Sequence, residues 1–253
     1  MRKKFIIFGI FCLLAFTLFS WSVKRGAFRT ADFAFTVKVQ EAIDRSPRLR
    51  LSRLVGDVME GSTFFASPEF SVVAIVVLTI AAFFSLRLID RSKWGGARAC
   101  IIPCLFLLLV LAEMYGKTVV HHPAPPFFMI KNPTSIFPKY YINEQFSYPS
   151  GHAARAVFIS ILLLIPAIRH YNNRTMRIKL FFVIGVLGLY VGLVSVSRVY
   201  LGHHWLSDII GGILLGGGFG LLLIGTLELP LYDSRKEPSN FRTSSITGTK
   251  RTS

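Results

Sequence analysis

The stretch Ser197-Arg198-Val199-Tyr200-Leu201-Gly202-His203-His204-Trp205-Leu206-Ser207-Asp208 places an arginine, two adjacent histidines and an aspartate between two long apolar runs. If the chain is helical from Trp205 onward, His204 and Asp208 are four residues apart and share a face. A carboxylate so placed holds one ring nitrogen of the imidazole and leaves the other free to attack. The planar fork of Arg198 suits an anionic substrate. Together these residues read as a phosphate site with a histidine nucleophile. A water–membrane boundary, where His, Arg and Trp also gather, is the plainer alternative.

Two further clusters carry related chemistry. Tyr148-Pro149-Ser150-Gly151-His152-Ala153-Ala154-Arg155 opens a third apolar run. Ser150 suits an N-cap, and the free N–H groups of a helix start bind anions. Gly151 permits close approach of an oxyanion, and His152 beside it can protonate a leaving oxygen. In isolation the same residues are a turn into a helix. The other cluster runs from Glu113 to Pro126 and contains Lys117, His121 and His122. Lys117 at a span end either snorkels to the interface or neutralises phosphate. Glu113 lies one turn below and can pair with it. Two adjacent histidines do not easily face one ion, and no carboxylate set completes a metal site, so none is expected.

The elements that must position these clusters are membrane spans. The 253 residues are 52% hydrophobic, with 23 Phe, too apolar for an ordinary soluble domain. Residues 5–21 form an apolar run that just crosses a bilayer core at a rise of about 1.5 Å per residue. A signal peptide competes for this run, but no small-x-small site follows it, and an uncleaved first span is the expectation. Further spans are expected at 70–88, 99–115, 153–168, 180–196 and 206–229. The glycines of the last, Gly211 to Gly220, lie mid-span and read as helix packing. The fold class is thus all-α, a six-span helix bundle forming one domain over 1–231.

The connection from Lys24 to Pro68 has helical periodicity, with Phe33, Val37, Val39 and Ile43, then Leu51, Leu54, Val55 and Val58, on either side of Pro47. It predicts two amphipathic helices, either lying on the membrane surface or capping the spans. Residues 232–253 are rich in Ser, Thr, Lys and Arg and read as a disordered cytoplasmic tail.

The formal net charge is +16. With no basic, aromatic-interleaved soluble module, anionic lipid headgroups and not nucleic acid are the expected partners. No obligate protein partner is indicated. Cys12, Cys100 and Cys104 lie in apolar runs without metal-ligand spacing. With both termini inside, the inner segments carry 16 Lys and Arg, and the outer loop between spans three and four has Lys117, Lys131 and Lys139. The first outer connection, with 8 basic residues, runs against the rule. This orientation brings all three polar clusters to one outer face, at one membrane depth, although they are far apart in sequence.

Pro149-Ser150-Gly151-His152, followed by Ser197-Arg198, five residues, His204, three residues and Asp208, resembles the type-2 phosphatidic acid phosphatase superfamily. That superfamily includes vanadium haloperoxidases and undecaprenyl-pyrophosphate phosphatases. The resemblance implies a phosphohistidine formed on His204, with Asp208 orienting it and His152 protonating the leaving group. It implies Lys117, Ser150, Gly151 and Arg198 as phosphate ligands, and neither cofactor nor metal. One position departs. The first motif of the family is Lys, six residues, then Arg-Pro, and here the arginine's place is taken by Ala124. Loss of a charge-assisted contact costs about 1.5–3 kcal/mol. Arg155, one helical turn after His152, is the candidate substitute; snorkelling or pairing with Glu113 is its alternative role.

Three functions follow from these readings. The first is a membrane lipid phosphatase acting on a lipid phosphate or pyrophosphate, with undecaprenyl pyrophosphate slightly preferred. The second is a weak or inactive lipid-phosphate binder, suggested by Ala124. The third is a transporter, disfavoured because the ionisable residues gather at one face and do not line a path. The spans exclude a soluble haloperoxidase.

Overall fold

The computed structural model describes residues 2–45, 49–89, 96–131, 145–169 and 174–227. Among these residues eight α-helices follow in order: α1 (Arg2–Lys24), α2 (Arg29–Asp44), α3 (Leu49–Phe64), α4 (Pro68–Ile89), α5 (Ile101–Val120), α6 (Gly151–Arg169), α7 (Arg174–Tyr200) and α8 (Leu206–Thr226). Among the described residues, five segments are long and apolar enough to cross a membrane: Arg2–Lys24, Pro68–Leu88, Ala97–Val120, Arg177–Tyr200 and Leu206–Thr226. The sixth expected span is α6, whose apolar part, Gly151–Pro166, is shorter. Its first turns carry His152 and Arg155, so part of its length serves the site and not the lipid. The expected tail, 232–253, and the end of the last expected span lie outside the described residues.

The bundle is built around α8, which packs on α1, α6 and α5. Its mid-span glycines set how closely the helices approach. A Cβ at Gly212 would stand 2.4 Å from the Ser150 carbonyl oxygen, and one at Gly216 would stand 2.3 Å from that of Ala154. Only glycine lets α8 lie directly on the α6 backbone. That contact fixes the depth of Ser150 and Gly151 relative to Asp208. A core of Ile102, Phe106, Leu109, Phe158, Leu162, Leu215 and Leu223 fills the remainder of the bundle.

The connection after the first span folds as two helices broken near Pro47, as its periodicity predicts. They cap the spans: α2 packs on α7 and α8, and α3 on α7. The face turned inward is partly polar. Asp32 and Thr36 are buried, whereas Phe33 is 50% exposed and Leu54 58% exposed. The reason lies in the end of the bundle beneath, which presents polar groups in need of partners. Asp32 accepts hydrogen bonds from Ser207, and Ser62 bonds to Ser197 at 2.8 Å. Apolar spacing therefore locates these helices but does not identify all of their inner face.

Candidate active site

Four helix ends converge at the end of the bundle where α1 terminates. They are the C-terminal ends of α5 and α7 and the N-terminal ends of α6 and α8. Ser20 near the end of α1 bonds the Tyr148 hydroxyl at 2.8 Å, tying this corner together. All three sequence clusters meet here.

Asp208 is fully buried at the centre. Its Oδ2 accepts from the backbone N–H of Trp205 at 2.8 Å and lies 3.5 Å from Nδ1 of His204. Helix α8 starts at Leu206, with Trp205 as its N-cap. His204 therefore precedes the helix, and the pair does not share a helix face as the four-residue spacing predicts. The contact arises because Asp208, on the first turn, reaches back to cap the helix and meets the preceding imidazole. The Arg198 carbonyl, which accepts from the N–H groups of both His203 and His204, fixes the turn carrying them. With Nδ1 of His204 toward Asp208, its Nε2 is the nitrogen left to react.

Asp208 Oδ1 accepts from Nδ1 of His122 at 2.9 Å. Nε2 of His122 lies 3.9 Å from Asp32 Oδ2, and both residues are buried. Asp32 in turn takes bonds of 2.8 Å from both the N–H and the hydroxyl of Ser207. Burial holds its carboxyl above the usual carboxylate range, and the Ser207 bonds oppose that shift. A chain of Asp32, His122, Asp208 and His204 results. His121 turns the other way: it is exposed, has a left-handed backbone (φ 55°), and packs edge-on to Phe146. The two adjacent histidines thus face different surroundings.

The second cluster supplies the opposite wall. The Ser150 backbone N–H donates to the Asp208 carbonyl at 3.0 Å. Ser150 Oγ is buried and has no hydrogen-bond partner among the described residues. It does not cap α6, as its position predicts, and remains available to a ligand. His152 follows on the first turn of α6. His203 is neutral: burial first, then Arg198 and His204 beside it, push it down to about 2.

The third wall centres on Glu113. Arg155 Nη1 donates to Glu113 Oε2 at 2.7 Å and its Nε donates to the Ala66 carbonyl at 3.1 Å. Lys117 Nζ lies 3.8 Å from Glu113 Oε1. The pairing alternative for Arg155 is therefore the arrangement present. The group pressed against Gly151 is this carboxylate: a Cβ there would stand 1.9 Å from Glu113 Oε1. At Ala124 the backbone N–H donates to the Gln145 carbonyl at 3.4 Å, and the preceding Pro123 carbonyl accepts from Trp205 Nε1 at 2.8 Å.

Lys117, Ser150, Gly151, His152, Arg155, Arg198, His204 and Asp208 thus lie at one end of the bundle. Asp32 and the orienting contact of His122 escaped the sequence reading. Asp32 lies in a long polar connection where no spacing distinguishes it. The spacing of His122 suggests at most a metal ligand and gives no sign of its contact with Asp208.

Comparison with known proteins agrees with this architecture. The family profile described as "PAP2 superfamily" matches residues 98–228. The chain is 26% identical over 208 residues to phosphatidylglycerophosphatase B of Bacillus subtilis, covering 80% of this chain and 86% of that protein. It is 32% identical over 120 residues to an undecaprenyl-diphosphatase of Sulfolobus acidocaldarius, covering 47% and 50%. The fold matches a crystal structure described as the first transmembrane PAP2 type phosphatidylglycerolphosphate phosphatase from Bacillus subtilis. That match has a TM-score of 0.60 and 23% identity, over 85% of this chain and 93% of the other.

Proposed function

This chain belongs to the PAP2 superfamily, and on that premise we propose that it hydrolyses a membrane lipid phosphate or pyrophosphate through a phosphohistidine on His204. It is an integral membrane protein and a phosphoric monoester or diphosphate hydrolase by family. The observation that carries the mechanism is the His204–Asp208 contact, which turns Nδ1 of His204 to the carboxylate and leaves Nε2 as the nitrogen to react. In the first step Nε2 attacks phosphorus in line, and the bond from phosphorus to the lipid-side oxygen breaks. His152 gives its proton to that oxygen. Arg198, Lys117, Ser150 Oγ and the N–H groups at the start of α6 stabilise the developing charge. Water then attacks the phosphohistidine and releases inorganic phosphate.

The excess of Lys and Arg on the inner segments supports cytoplasmic termini and a site on the extracytoplasmic face. The names of the relatives point to two substrates for test, phosphatidylglycerophosphate and undecaprenyl pyrophosphate. The sequence reading slightly prefers the second. A second reading, a lipid-phosphate binder with little turnover, draws support from Ala124 and from the engagement of Arg155 and Lys117 by Glu113.

The deciding experiment is phosphate release by purified full-length protein from a panel containing both lipids and phosphatidic acid, beside His204→Ala. The expected outcome is release from at least one lipid and none from the variant. No release from any lipid favours the binder. Release that survives in His204→Ala overturns the mechanism.

A further inference from the structure

We propose that His122 is a positioning residue for the nucleophile, holding Asp208 through Nδ1 so that the second oxygen of that carboxylate addresses His204, with Asp32 and Ser207 fixing His122 from behind. The inference rests on the phosphatase reading above. It concerns a residue between the Lys and the Arg-Pro position of the first family motif, where that motif prescribes no residue type.

A carboxylate can orient an imidazole only if its own plane is fixed. The Asp208 side chain has two oxygens and no contact with solvent. Oδ2 serves the Trp205 N–H and His204, at 2.8 and 3.5 Å. The shorter imidazole contact, 2.9 Å, is to His122 on Oδ1. That bond requires the proton of His122 on Nδ1, because an ionised carboxylate only accepts. It therefore fixes the His122 tautomer or leaves the ring doubly protonated. In either case Asp32 stands 3.9 Å from Nε2 at the far edge of the ring, itself held by two bonds from Ser207 at the start of α8. Asp32 comes from α2 and His122 from the segment after α5. Two elements outside the histidine–aspartate motif thus back its carboxylate, His122 directly and Asp32 from beyond His122.

Such an outer layer acts on the rate of attack and not on substrate affinity, since both ring nitrogens of His122 face carboxylates. His122→Ala, His122→Asn and His122→Gln distinguish positioning from bulk packing. The Asn amide nitrogen can replace the Nδ1–H donor, whereas the Gln amide reaches toward the Nε2 position. Kinetics are measured on full-length protein with whichever of the two lipids the wild type hydrolyses. His121→Asn serves as the neighbouring control, Asn being tolerant of the left-handed backbone there.

The expected result for His122→Ala is a fall in kcat of about 10- to 100-fold, by analogy with the loss when outer-layer partners of metal-binding histidines are removed. KM should stay within about twofold, the signature of an interaction realised in the transition state. His122→Asn should recover most of kcat, His122→Gln should not, and His121→Asn should match wild type. The inference is overturned if His122→Ala keeps wild-type kcat, or if Asn and Gln fall equally. Equal loss would mean that His122 only fills space. If His122→Ala fails to fold, the Asn–Gln contrast decides. An inactive wild type would instead overturn the phosphatase reading on which this inference rests, so the two failures are distinguishable.

Discussion

Two buried carboxylates organise the site, and their surroundings are opposite in kind. Asp208 is met by two imidazoles and a backbone N–H. Glu113 is met by a guanidinium at 2.7 Å and an ammonium at 3.8 Å. The partners of Asp208 can carry its influence to the reacting nitrogen while staying in place. The partners of Glu113 are themselves candidate phosphate ligands. A substrate phosphate arriving at Lys117, Arg155 and the start of α6 enters a region where one carboxylate already stands. On the proposed mechanism the nucleophile side is therefore preorganised, whereas the cation side would share its charges between Glu113 and substrate.

The largest effect should come from breaking the cation side at Arg155. Arg155→Ala is expected to abolish phosphate release if this guanidinium replaces the one missing at Ala124. Removing one member of a buried pair also destabilises a fold by about 3–5 kcal/mol. The Glu113→Ala/Arg155→Ala double variant separates these effects. It removes both charges, should recover thermal stability, and should remain inactive. Full turnover in Arg155→Ala would show that Arg155 serves only Glu113 and the Ala66 carbonyl.

The contrast between the two carboxylates also explains what could be read from the sequence. The spans were legible because long apolar runs have no other stable use, and His204 with Asp208 because their spacing matches a known motif. The cause of their contact was not legible: the spacing predicts a shared helix face, whereas the contact comes from a side chain capping its own helix. Glu113 was visible as an intramembrane carboxylate, and its possible partners Lys117 and Arg155 could be named by helix spacing and charge. That it engages both, and presses on Gly151, depends on how α5 meets α6. Asp32 was hidden most completely. It acts from the inner face of an amphipathic helix whose apolar residues, such as Phe33, are turned outward. A period-based reading assigns the apolar residues to the interior, and here polar groups at the end of the bundle reverse part of that assignment.

A smaller effect is expected at Glu113 itself. Glu113→Gln keeps the shape of the side chain and removes its charge from beside Lys117 and Arg155. One unit charge about 4 Å from a phosphate contributes on the order of 1 kcal/mol in bulk water and more at a buried site, so KM should fall by at least about fivefold. The kcat should change little, because the nucleophile side is untouched. An unchanged or raised KM would mean that Glu113 does not compete with substrate and that its role is to hold α5 against α6.

The smallest expected change is at the position where the motif departs. Ala124→Arg restores the family's residue and should not lower activity in the wild-type background, where Arg155 already supplies a cation. Position 124 is held close to the nucleophile loop, because the Pro123 carbonyl is bonded to Trp205, the neighbour of His204. A guanidinium introduced there is therefore near the site without disturbing the Asp208 contacts. Its informative use is in the Arg155→Ala background. Partial recovery of turnover by Ala124→Arg would show that the two positions supply the same function from different helices. Absence of recovery, with the double variant folded, would mean that Arg155 acts through its pairing with Glu113. The cation side would then be an ion-pair scaffold, and Lys117 and Arg198 the side-chain cations left to meet the phosphate.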